Sequence, residues 1–152
     1  MIEDLLKANK KIFLVYPIPE VGWDVPTYRS KKMYFNNDTT SGLYSKTQLE
    51  GTGSSALSGR TSSANFIGLT SNLGVDDTNP SIIILQLNNY SNTTTFKTVL
   101  SRETMWNSTF TGVGVRVGLW RNINAITSVS LKVNNSTWKS GSTFTLYGIK
   151  AA

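Results

Sequence analysis

Two residue types are missing from this 152-residue chain altogether, cysteine and histidine. Without cysteine there is neither a disulfide framework nor a thiolate metal site, so the core has to hold by packing or by oligomerisation, and synthesis in a reducing cytoplasm is permitted. Without histidine the commonest general base and the commonest metal ligand go together. Carboxylates are scarce as well: nine Asp and Glu stand against 15 Lys and Arg, a formal net charge of +6. Acid/base work would fall to those nine, and no local pattern among them announces a glycosidase pair. Proline is nearly confined to one place, three of the four being Pro17, Pro19 and Pro26. No apolar run is long enough to span a bilayer. Glu3 and Asp4 stand where a secretion signal would carry positive charge. Membrane insertion and a cofactor or metal are therefore not expected.

What is present is enough for one domain, because a chain of about 150 residues buries roughly 68–70% of its unfolded surface. The positive balance is spread thinly, net +2 over residues 1–32 and net +4 over 33–152, with no long basic run. That distribution suits solubility better than phosphate binding, so nucleic acid is not expected as a partner, while contact with an acidic protein surface is assisted. Asn-X-Ser/Thr triplets begin at Asn37, Asn89, Asn92, Asn107, Asn134 and Asn135, and read as turn chemistry in a chain so rich in these residues. Asp76, Asp77 and Asn79 offer oxygens to a hard cation, but an Asx turn before Pro80 explains them more simply.

The chain divides at residue 30. Residues 1–11 have the stripe of a short helix in Ile2, Leu5 and Leu6. The following "IFLVYPIPEVGWDVPTYRS" combines large apolar side chains with prolines that deny sheet donors, and predicts an extended arm laid on an apolar surface. Ile12, Phe13, Leu14, Tyr16, Ile18 and Trp23 are its candidate partner-docking residues. After Lys31 the pattern becomes short strands between polar turns, the mark of a sandwich or barrel. Strands are predicted at 31–36, 65–70, 81–87, 94–101, 113–120, 128–133 and 143–149, with 37–64 as a long loop. "GVGVRVGLW" sets Val113, Val115, Val117 and Leu119 on one face, read as the apolar side that meets a second sheet. Residues 126–150 are predicted to form an antiparallel pair.

"GLWRNINAITSVSL", an aromatic at Trp138, "SGS" and the closing "FTLYGIK" together resemble, over residues 112–150, a C-terminal jelly-roll module of tailed-bacteriophage virion proteins. The resemblance implies an antiparallel jelly-roll β-sandwich at 31–152 behind a short N-terminal arm at 1–30. It implies a non-enzymatic capsid decoration, head-fibre or tail-fibre protein, made in the bacterial host cytoplasm and located in the virion. Capsid or tail proteins would be its partners, with self-assembly, a homotrimer foremost. Trp120, Trp138, Phe144, Leu146, Tyr147 and Gly148 are its core and motif residues. Leu146 is expected to fill the core, Tyr147 to bury its ring, and the last strand to close the fold by pairing with an early one.

Tryptophans also serve as sugar platforms. Trp106, following "SRETM" in a segment read as a loop, is the candidate contact for a host surface glycan, which makes a tail-fibre receptor binder the competing function. Polysaccharide hydrolysis by two carboxylates is the distant third.

Overall fold

Burial alternates along "SIIILQLN": Ser81, Ile83, Leu85 and Leu87 are buried while the residues between them are not. A computed structural model describes residues 10–18, 30–70, 81–106, 111–134, 137–138 and 140–150, with the backbone alone for 10–18, 105–106 and 149–150. Among the described residues there are ten strands and no helix. They are β1 (Lys10–Ile18), β2 (Lys31–Phe35), β3 (Tyr44–Gly51), β4 (Ala56–Ala64), β5 (Ile67–Gly68), β6 (Ser81–Asn88), β7 (Lys97–Trp106), β8 (Thr111–Trp120), β9 (Val129–Val133) and β10 (Thr145–Lys150).

Asparagine does much of the turning. Asn36, Asn37 and Asn89 hold φ near +50°, the left-handed region that this side chain tolerates. Asn36 also binds the approach to β9: its Oδ1 accepts from the backbone N–H of Thr127 at 2.8 Å and of Ser128 at 3.1 Å, and its Nδ2 donates to the Ala125 carbonyl at 2.8 Å. Gly53, with φ +88°, turns β3 into β4, and the Thr52 hydroxyl caps that turn by accepting from Ser55 N–H at 3.1 Å.

All pairings are antiparallel. The larger sheet runs β10-β1-β6-β7-β8-β3-β4 and the smaller β5-β2-β9. The two lie face to face as a β-sandwich, the all-β fold that the alternating pattern predicts. Three pairs are nested in sequence, β1 with β10, β2 with β9 and β3 with β8, and they alternate between the sheets. A jelly roll starts from such winding, but β6 and β7 then lie beside β1 and β8 in the larger sheet, which leaves it with a strand order of its own.

The core lies between the sheets. Met33, Phe35, Ile67 and Leu69 on one side meet Ile83, Leu85, Leu87, Val99 and Trp120 on the other. One end is aromatic: Trp120 stacks on Tyr44 at 6.3 Å between centroids and tilts against Phe35 at 5.5 Å. Its indole N–H donates to Asp38 Oδ2 at 3.0 Å, and the Tyr44 hydroxyl accepts from Phe35 N–H and donates to the Asp38 carbonyl. The two polar-tipped rings, Trp120 and Tyr44, are satisfied there, so their burial contributes about 1.5–3 kcal/mol each without an orphaned group.

Four expectations change. Of the arm expected at 1–30, Lys10–Ile18 is β1, an inner strand with Leu14 opposite Leu146 on one side and Leu85 on the other. The β-branched and aromatic run from Ile12 to Tyr16 favours a strand, and Pro17 falls one residue from its end, where a missing donor costs little. Residues 1–9 and 19–29, including the predicted helical stripe and Trp23, lie outside the described residues. The loop expected at 37–64 is instead the β3–β4 hairpin. The pair expected within 126–150 does not form, because β9 joins β2 in one sheet and β10 joins β1 in the other. The closing strand does pair with an early one. Finally, β8 faces the opposite way from its reading, as described next.

Candidate docking surface on the larger sheet

Strand β8 buries Gly114, Arg116, Gly118 and Trp120 and turns Val113, Val115, Val117 outward. Space decides this orientation. A Cβ on Gly118 would lie 2.7–2.8 Å from side-chain carbons of Ile67 and Val99, and one on Gly114 would lie 2.7 Å from Glu103. Valines cannot occupy these sites, and since successive side chains alternate, one glycine fixed inward fixes the whole strand. Trp120 on the same side supplies the volume that the aromatic end needs.

Cross-strand partners share a face, so the register maps the outward surface. Val115 lies opposite Leu49 of β3 and Arg102 of β7; Val117 lies opposite Thr47 and Leu100; Val113 lies opposite Gly51 and Thr104. Arg60 of β4 is opposite Thr47, and Ile84 of β6 is opposite Arg102. Leu49 is 63% exposed, Val113 62% and Val117 50%. A contiguous exposed aliphatic patch in the middle of a sheet face is the kind of surface that marks a protein contact.

The side beneath the patch is charged. Arg116 ion-pairs with Glu50 of β3 and Glu103 of β7, donates from Nη1 to the Leu69 carbonyl at 2.6 Å and from Nε to Gln48 Oε1 at 3.4 Å. One guanidinium thereby ties three neighbouring strands to the segment that follows β5. Burial lowers its pKa to about 10 against the attraction of Glu50, so it stays charged at neutral pH. Lys46, which donates to Gln48 Oε1 at 2.8 Å, is also lowered, by burial and then by Arg116. At the same end of the smaller sheet Lys31 is buried with no hydrogen bond to its Nζ, and burial lowers its pKa to about 7. Glu103 Oε2, Ser81 Oγ and Ser101 Oγ are likewise buried without hydrogen-bond partners.

The two carboxylates that topology brings together, Glu50 and Glu103, are buried, and both ion-pair with Arg116. Among the described residues no three metal-ligating side chains converge.

The residues singled out in the sequence are scattered. Ile12, Phe13, Leu14, Tyr16 and Ile18 are spread along β1, and their side chains lie outside the described set. Trp106 is the last residue of β7, opposite Thr111, rather than part of a loop, and its side chain is also outside that set. Trp120 is core. Trp138 is half-buried, donates to the Leu131 carbonyl at 3.2 Å and meets Phe144 edge-on at 5.1 Å. Leu146 packs on the core, opposite Leu14, and Gly148 pairs with Ile12. Tyr147 does not bury its ring: it sits on the outward side of β10, 54% exposed. Leu49, Arg60 and Arg102 were missed. The signal that finds them is the spacing of glycines at 112, 114 and 118 on the same parity as Trp120, which marks the crowded side and hence the opposite, open one.

No protein-family model, no curated protein and no solved structure matches the chain.

Proposed function

We propose that the chain is a non-enzymatic structural accessory of a tailed-phage virion, docked to a capsid or tail protein through the outward face of its larger sheet. The observation that carries this reading is the exposed patch of Leu49, Val113, Val115 and Val117, backed on the other side of the sheet by the ion pairs of Arg116. The resemblance of residues 112–150 to virion jelly-roll modules supplies the setting, and a sequence without histidine or cysteine supports a binding role over a catalytic one. The docking element in this proposal is the sheet face and not the leader, since Lys10–Ile18 is engaged on both edges within the fold.

The test uses particles of the phage that encodes the chain, carrying Leu49→Gln together with Val115→Gln. These neutral changes remove apolar contact from a directly opposed pair. The purified variant is expected to keep its thermal transition while the particles lose the chain. Particles that retain it at the wild-type level would refute docking through this face.

A further inference from the structure

Resting on that docking reading, we infer that the partner on the outward face is acidic: a protein surface that lays aliphatic side chains over Leu49 and the three valines and sets carboxylates against Arg60 and Arg102. The argument is a census of charge. The acidic residues among those described are Asp38, Glu50 and Glu103. Asp38 is held in the turn after β2 by the Trp120 indole, and the other two are buried against Arg116. The described side chains of the outward face therefore carry Arg60 and Arg102 and no negative charge. Both arginines are exposed.

Their placement is specific. Arg102 stands one strand from the valine row and Arg60 two strands away on its other side. Three strand spacings across the sheet and a two-residue offset along it put their backbones about 16 Å apart. An extended segment crossing the sheet obliquely would present carboxylates at i and i+4, about 13 Å apart, with the long arginine side chains spanning the remainder, and place its i+2 side chain on the aliphatic row.

Other occupants fit less well. A second copy presenting this same face would set arginine against arginine. Nucleic acid would find two separated cations and aliphatic side chains where clustered charge and stacking rings serve it.

Three fluorescent peptides of equal length test the idea, each with Val at i+2 between Glu, Ser or Lys at i and i+4 and Ser at the positions between, alongside a single-stranded oligonucleotide and phosphatidylglycerol vesicles. The Glu peptide is expected to bind the full-length chain roughly tenfold or more tighter than the Ser peptide, and to weaken as salt rises to about 0.5 M. The Arg60→Glu, Arg102→Glu double variant should reverse the preference toward the Lys peptide with an unchanged thermal transition. Equal binding of the three peptides, no binding of any, or tighter binding to oligonucleotide or vesicles would overturn the inference. On particles the two ideas separate. If the Leu49→Gln, Val115→Gln variant is lost but the double charge reversal is retained, docking stands and the acidic partner falls. If the neutral pair is retained, the docking reading itself fails.

Discussion

The two faces of β8 reverse the usual assignment of residues to inside and outside. Outward, the valines stand exposed; inward, glycines, an arginine and a tryptophan are enclosed. Hydrophobicity alone would turn the strand over. What holds it is volume on one side of the pleat: a wall formed by Ile67 and Val99 that admits no Cβ, and a slot that takes the Trp120 indole. The difference teaches that a period-two pattern fixes which residues share a face, while the space opposite fixes which face is buried.

The comparison breaks most severely at Arg116. Replacing it with Met leaves two buried carboxylates facing each other, and chemical denaturation should report a loss of about 3–5 kcal/mol. A loss below about 1 kcal/mol would mean that the cluster is not closed to water. Replacing Arg116, Glu50 and Glu103 together with apolar residues should restore much of that stability.

Next in size is a dependence on pH from the enclosed side. Lys31 titrates near 7 when folded and near 10.5 when unfolded, so between these values the unfolded chain holds more protons. Stability should therefore rise from pH 7 toward pH 10, by up to a few kcal/mol, with the burial penalty fully present below pH 7. Lys46 and Lys97, also lowered by burial, add in the same direction. Tyr44, pushed up to about 12 mainly by burial, acts oppositely above pH 10. Lys31→Met should flatten the rise; an unaltered slope would assign it to other groups.

Smaller again is overpacking. Gly118→Val drives methyls into Ile67 and Val99 and should cost about 1–3 kcal/mol, whereas Val117→Thr, one residue away on the open side, should stay within about 0.5 kcal/mol. Comparable losses at 117 and 118 in urea titrations would contradict the assigned facing.

The strands legible in the sequence were those whose buried side is aliphatic. β6 shows as a short apolar run from Ile82 to Leu85 bounded by polar residues, its buried side being Ile83, Leu85 and Leu87, and Val129, Leu131 and Val133 mark β9 by alternation. β3 was illegible because its inward residues after Tyr44 are Lys46, Gln48 and Glu50, which read as loop until Arg116, 66 residues away from Glu50, explains them. β4 was illegible because an edge strand with most of its residues exposed shows no period at all. The docking surface was half visible: the valine row stood out, but its exposure depends on Ile67 and Val99, whose contact with Gly118 is a product of the completed sandwich.

Strand β1 has one further consequence. Its neighbours are residues 81–88 on one edge and 145–150 on the other. During synthesis the first of these partners emerges about 70 residues later, and the second only once β10 has cleared the ribosome. Pairings so distant in sequence form late and slowly. Until both have emerged the nascent protein would hold an apolar ribbon with a free border, a state in which neighbouring copies risk cross-pairing, and one that invites a chaperone or a slow ribosome.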